Sequence, residues 1–81
     1  MTLATVTVRY WAAARAAAGR ASETREASTL ADVVRQVGDG RPELARVLGI
    51  CSFLVDGSRV GQSAPLPDGA VVDALPPFAG G

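Results

Sequence analysis

From Leu3 to Trp11 apolar and polar residues alternate, with Val6, Val8 and Tyr10 on one side and Thr5, Thr7 and Arg9 on the other. A period of two belongs to a strand with one buried face, so this stretch predicts a half-buried first strand. The next run, Ala12 to Ala18, is nearly all alanine with Arg15 inside it and Gly19 behind it. Alanine is the best helix former and a glycine after the last turn accepts a left-handed backbone, so a short helical turn is predicted there. Ser22 to Ala27 is polar, and a strand here pairs with the first as a hairpin.

Thr29, followed three residues on by Asp32, resembles a capping box with Asp in place of Glu. Leu30, Val33, Val34 and Val37 then fall at i, i+3, i+4 and i+7, the stripe of an amphipathic helix that Gly38 and Gly40 end. Pro42, at a first-turn position, starts a second short helix whose Leu44, Val47 and Leu48 face inward before Gly49. Ile50 to Val55 is an apolar run closed by the turn dipeptide Asp56-Gly57, and it reads as a central strand with Phe53 and Val55 inward. A short strand follows around Arg59 and Val60. After the turn segment Pro65-Leu66-Pro67-Asp68-Gly69, Ala70 to Leu75 forms the last strand, which Pro76-Pro77 ends for want of ladder donors. The predicted order is β, β, α, short α, β, short β, β: an α+β domain with one sheet over one main helix. Pairing the first and last strands in the middle of the sheet buries the most apolar surface.

Eighty-one residues support one hydrophobic core and leave no room for a second. The domain is expected to cover residues 1–75, with 76–81 an extended tail. So small a body has little space for a deep cleft, which favours a carrier, binding module or subunit over a self-sufficient enzyme. The side-chain inventory agrees. There is no histidine, one cysteine and no lysine, so the usual general bases and the Schiff-base nucleophile are missing. Eight arginines balance eight acidic residues, which argues against a nucleic-acid partner. A single cysteine forms no internal disulfide, and neither a leader pattern nor an 18-residue apolar run is present. A cytoplasmic protein with no membrane partner is expected. No metal-ligand spacing appears.

Everything after Leu75 is Pro76-Pro77-Phe78-Ala79-Gly80-Gly81, six residues that span about 20 Å when extended. The prolines favour an extended exit. The two glycines carry no Cβ, so they can thread a channel too narrow for other residues and leave the last carbonyl unhindered. A terminal carboxylate has a pKa of about 3.5 and is an ionised oxygen nucleophile at neutral pH. It is suited to attack the α-phosphate of ATP on a partner enzyme, giving an acyl-adenylate that a sulfur donor converts to a thiocarboxylate. Two terminal glycines arise from composition alone about once in eighty chains of this glycine content, so the tail by itself also fits an ordinary frayed end.

The opening Val6-Thr7-Val8-Arg9-Tyr10-Trp11-Ala12-Ala13-Ala14-Arg15 with Ala18-Gly19 resembles the start of molybdopterin synthase small subunits, members of the MoaD/ThiS-like sulfur carriers. Phe53-Leu54-Val55-Asp56-Gly57, Pro65-Leu66-Pro67-Asp68-Gly69-Ala70-Val71-Val72 and Leu75-Pro76-Pro77-Phe78-Ala79-Gly80-Gly81 resemble three further family segments in the same order. Asp56 stands where that family has asparagine, and Phe78 where it has valine. The resemblance implies a ubiquitin-like β-grasp fold and a chain adenylated and then thiocarboxylated at Gly81. The activating partner would resemble ubiquitin-activating enzymes and use ATP, with no cofactor bound to this chain. The tail would then enter the large synthase subunit and donate sulfur to the precursor pterin. Gly81 is implied as the sulfur-bearing terminus and Gly80 as the threading residue. Leu75, Pro76, Pro77, Phe78 and Ala79 are implied as the partner-binding tail, with Trp11, on the face opposite Val8 and Tyr10, contributing to the docking surface.

Sulfur carriers for thiamine thiazole or cysteine synthesis share the ending and the fold; the proline pair and the length favour the molybdenum cofactor. A ubiquitin-like binding module or protein modifier is the reading from another class. Cys51, alone in an apolar run, is expected in the core. Trp11 fits either core packing or an interface anchor. The arginines are expected mostly on a solvated face, with Arg9 and Arg15 the candidates to meet an acidic partner.

Overall fold

The computed structural model describes residues 3–77. Five strands and three helices follow in the order β1 (Ala4–Tyr10), α1 (Ala12–Ala18), β2 (Ser22–Ala27), α2 (Leu30–Gly38), α3 (Pro42–Leu48), β3 (Ser52–Val55), β4 (Ser58–Arg59) and β5 (Val71–Leu75). They build one mixed sheet in the order β2-β1-β5-β3-β4. β1 pairs with β2 antiparallel and with β5 parallel, so the first and last strands occupy the middle, as the burial argument anticipates.

The apolar side of β1 faces the helices. Val6, Val8 and Tyr10 are buried together with Leu30, Val33 and Val37 of α2, Leu44 and Leu48 of α3, Phe53, Val55, Val72 and Ala74. Val34 and Val47 lie at the margin of this core. A Cβ on Gly38 would sit 3.2 Å from the Cβ of Ala45, so the glycine allows α2 and α3 to approach closely.

Local signals decide the element ends. Gly19 closes α1 at φ +73°, its N–H donating to Arg15 O. Thr29 caps α2 by accepting from the Asp32 N–H, while Asp32 accepts from the N–H of Ser28, one residue earlier than a reciprocal box requires. Asp56 at φ +49° and Gly57 at φ +85° form the left-handed two-residue turn between β3 and β4.

One expectation needs correction. Ile50 and Cys51 lie outside β3, because their N–H groups donate to the α3 carbonyls of Val47 and Leu48 and are unavailable to the sheet. Ile50 is exposed. Six of the eight arginines are exposed, as expected, while Arg25 and Arg41 are half-buried. Glu23 lies opposite Val8, on the core side of β2, and is buried. Arg41 and Arg25 pair with its carboxylate, and Arg20 lies 3.8 Å away.

Candidate functional site

Because β1 and β5 run parallel, their C-terminal ends meet at one end of the sheet. Tyr10 lies beside Ala74, and the next N–H, of Trp11, donates to Ala74 O at 3.3 Å. The chain leaves β5 there through Leu75, which is half-buried and lies opposite Ser52 of β3. Pro76 is buried and Pro77 exposed. Trp11 therefore stands beside the root of the C-terminal segment. Phe78, Ala79, Gly80 and Gly81 lie outside the described residues.

On the sheet face away from the helices, Arg9 and Asp73 are neighbours in the parallel register. The Arg9 guanidinium donates through Nε to Asp73 Oδ1 at 2.6 Å and through Nη2 to Oδ2 at 2.9 Å, a bidentate fork. Trp11 Nε1 donates to the same Oδ1 at 2.9 Å. The guanidinium also lies 5.6 Å from the centroid of the Trp11 ring, within cation–π range. Asp73 is 5% exposed, while Trp11 keeps 44% of its surface in solvent. The hydrogen bonds from Arg9 hold the Asp73 carboxyl below its ordinary value; burial opposes this, and Trp11 reinforces it.

Arg9 and Asp73 were not singled out together by sequence reasoning. The usable signal was a lone carboxylate inside the apolar run Val71-Val72-Asp73-Ala74-Leu75, which demands a cation if it is buried.

Cys51 contributes little reactivity. It is half-buried against the core, its Sγ lies 3.2 Å from Val47 O, and burial pushes the thiol up to about 11. A thiol so placed is almost wholly protonated at neutral pH. A depression between α2 and α3, lined by Val34, Arg35, Gly38, Asp39, Ala45 and Leu48, belongs to the helical layer and is lined by no cysteine, serine or histidine. Among the described residues there is no group of three or more metal-ligating side chains, and no helix is long and apolar enough to cross a membrane.

The family model of the ThiS family matches residues 8–81. The chain belongs to the ThiS family. Among solved structures, this ThiS-family chain is similar to the small archaeal modifier protein 1 from Methanosarcina acetivorans, with 25% identity, 100% of each chain covered and a TM-score of 0.87. It is similar to a putative molybdopterin converting factor subunit 1 from Pyrococcus furiosus at 23% identity, covering 93% of this chain and 99% of that one, with a TM-score of 0.81. A third likeness is to the complex of subunits 1 and 2 of the molybdopterin-converting factor from Helicobacter pylori, at 26% identity over 95% and 99% of the two chains and a TM-score of 0.72. No curated protein sequence matches significantly. The ubiquitin-like β-grasp fold and membership of a sulfur-carrier or modifier family follow from the match and the architecture together.

Proposed function

We propose that this chain is a sulfur carrier acting as the small subunit of a molybdopterin synthase, with the Gly81 carboxylate as its working group. On an activating partner, a carboxylate oxygen attacks the α-phosphorus of ATP and pyrophosphate leaves. Hydrosulfide-level sulfur then adds to the acyl carbon and AMP departs, leaving a thiocarboxylate. Inside the large subunit the thiocarboxylate sulfur bonds to a side-chain carbon of the precursor pterin as an oxygen substituent leaves; water at the acyl carbon then restores the carboxylate and frees the thiolate, and a second loaded chain repeats the step to complete the dithiolene. The partners supply the nucleotide, the acid–base groups and the dry site, so the absence of histidine and lysine is no obstacle.

The observation that carries this reading is the ThiS-family match running through Gly81, with Gly80-Gly81 following the Pro76-Pro77 exit. A relative occurring in complex with a second converting-factor subunit supports a large-subunit partner.

A second reading, protein modification, has its own support in the likeness to a small archaeal modifier over the whole chain. In that role the activated Gly81 carbonyl would pass to a lysine of another protein, since this chain has none.

Intact-mass spectrometry separates the two. After incubation with ATP, an activating enzyme and sulfide, the carrier gains the mass difference of one oxygen replaced by sulfur, and deletion of Gly81 abolishes the gain. Combining two equivalents of the loaded chain with a large synthase subunit and precursor pterin should return both carboxylates and yield the dithiolene. An unshifted mass with a competent activating enzyme rejects the carrier, and lysine-linked adducts select the modifier.

A further inference from the structure

The chain carries three exposed Asp-Gly dipeptides, Asp39-Gly40, Asp56-Gly57 and Asp68-Gly69. An aspartyl carboxyl followed by glycine is self-reactive, because no Cβ on the next residue keeps its nitrogen from the side-chain carbon. Reaction then depends on how firmly the two groups are held. At Asp68-Gly69 both are tied to Thr5: Asp68 Oδ1 accepts from the Thr5 N–H at 2.8 Å, and the Gly69 N–H donates to Thr5 O at 2.8 Å. At Asp56-Gly57 the carboxylate accepts from the Val71 N–H at 2.9 Å, and the Asp56 N–H donates to Val71 O at 2.9 Å. Asp39-Gly40 has neither restraint. Among the described residues the Asp39 carboxylate joins no hydrogen bond or ion pair, and the Gly40 N–H has no acceptor. Gly40 also sits at φ +72°, so the pair lies in a left-handed turn outside both helices.

We propose that Asp39 is a self-modification site, the one Asp-Gly aspartate of this fold that converts to isoaspartate, while Asp56 and Asp68 are protected by the backbone groups that hold them. The Gly40 nitrogen bonds to Cγ of the protonated Asp39 carboxyl; the nitrogen loses its proton and a carboxyl oxygen leaves as water, giving a cyclic imide. Water then opens the ring. Addition at Cγ returns aspartate, whereas addition at the main-chain carbonyl leaves an isoaspartyl residue with a free α-carboxylate. Asp39, at φ −64° and ψ 126°, must rotate about ψ to close the ring, and the turn bond from Arg41 N–H to Gly38 O at 3.0 Å is what resists. The product routes the main chain through Cβ, one methylene longer, within the connection Asp39-Gly40-Arg41 between α2 and α3. Arg41 donates through Nε to Val37 O and through both Nη atoms to the buried Glu23, so the added length acts directly on that ion pair.

The test ages the full chain at neutral pH, well below its melting point, and maps the three dipeptides by electron-transfer fragmentation, which tells isoaspartate from aspartate. In the folded protein isoaspartate at Asp39 should form about tenfold faster than at Asp56 or Asp68, since a hydrogen bond that must open before ring closure slows the step by about that factor. In urea the three positions should react at comparable rates. The aged chain should melt at a lower temperature than the fresh one, and Asp39→Glu, which would need a larger and slower-forming ring, should keep its midpoint through the same incubation. Conversion at Asp56 or Asp68 as fast as at Asp39 in the folded protein overturns the proposal. So does an unmodified Asp39 after a time in which the urea-unfolded chain has accumulated isoaspartate there. An isolated isoaspartyl form that melts with the fresh chain overturns the coupling to Arg41. None of these outcomes bears on the sulfur-carrier reading.

Discussion

Glu23 and Arg41, eighteen residues apart in the chain, meet as a two-pronged ion pair: Nη2 to Oε1 at 2.7 Å and Nη1 to Oε2 at 3.1 Å. Arg41 also donates through Nε to Val37 O at 2.9 Å, so one side chain ties the α2–α3 connection to the edge strand β2. The Tyr10 hydroxyl is buried in the same region without a hydrogen-bond partner. Replacing Arg41 with Ala leaves a buried carboxylate with only Arg25 and the more distant Arg20. The expected cost is about 2–3 kcal/mol, below the roughly 3–5 kcal/mol of a fully broken buried pair because partial compensation remains. Urea unfolding followed by circular dichroism measures it, and a cost near zero would show that Arg25 suffices.

The same groups govern the response to pH. Burial pushes the Glu23 carboxyl up, but Arg41 and Arg25 together outweigh it and hold the group below its ordinary 4.5. Asp73 is likewise held below 3.8. A carboxyl with a depressed folded-state pKa contributes stability that is fully present above its unfolded value and is lost as pH falls through the folded one. Unfolding free energy should therefore be flat near neutrality and decline once pH drops below about 4.5. The decline should be shallower in Glu23→Gln, as thermal melts across the acid range would show.

At the alkaline end the sign reverses. Tyr10 is pushed from 10.0 to about 12, first by burial and then by the Glu23 charge. Its neutral form is favoured in the fold, so its contribution is complete below pH 10 and lost as pH rises through 12. Spectrophotometric titration of the single tyrosine should show ionisation delayed relative to the urea-unfolded chain.

Cys51 should behave as a packing residue. Iodoacetamide at neutral pH should label it slowly in the folded protein and rapidly in urea, because burial disfavours the thiolate. Cys51→Ala should still take up sulfur at Gly81. Loss of loading with an unchanged melting point would instead give the thiol a part in the chemistry.

The β3–β4 turn offers a test of a single hydrogen bond. Asp56 Oδ1 accepts from the N–H of Val71 at 2.9 Å, and the Asp56 N–H donates to Val71 O at 2.9 Å, fastening the start of β5. Asn keeps the acceptor and tolerates the positive φ, so Asp56→Asn should be within about 0.5 kcal/mol of neutral. Asp56→Ala loses both advantages and should cost about 1–2 kcal/mol. Equal melting points for the two variants would remove the side-chain bond from the explanation.

Gly80→Ala tests the threading role proposed for the C-terminal segment. A Cβ there should leave the melting point unchanged and slow sulfur transfer by about tenfold or more, since small displacements of reacting groups carry rate penalties of that order. Single-turnover mass spectrometry of the loaded chain with a large subunit gives the rate, and an unchanged rate would show that the receiving channel is wide.

Much of the fold was legible in local pattern. The alternation of Val6, Val8 and Tyr10, the stripe through Leu30, Val33 and Val37, and the stops at Gly19 and Asp56-Gly57 each report a conformation decided within a few residues. Ile50 and Cys51 misled because apolar character alone does not reveal that their N–H groups are taken by the end of α3. The polar side of the sheet was less readable still. Arg9 and Asp73 are sixty-four positions apart, and only the parallel pairing of the first and last strands makes them neighbours.

What the sequence determined by itself is therefore the set of elements and the family to which the chain belongs; it favoured the central pairing of β1 with β5, which the sheet order then decided. Only tertiary structure decided which charges are buried and what they hold: Glu23 beneath Arg41, and Asp73 beneath Arg9 and Trp11. Helix and strand preferences act between near neighbours, whereas the pairing of a buried charge depends on which distant backbone the sheet brings beside it.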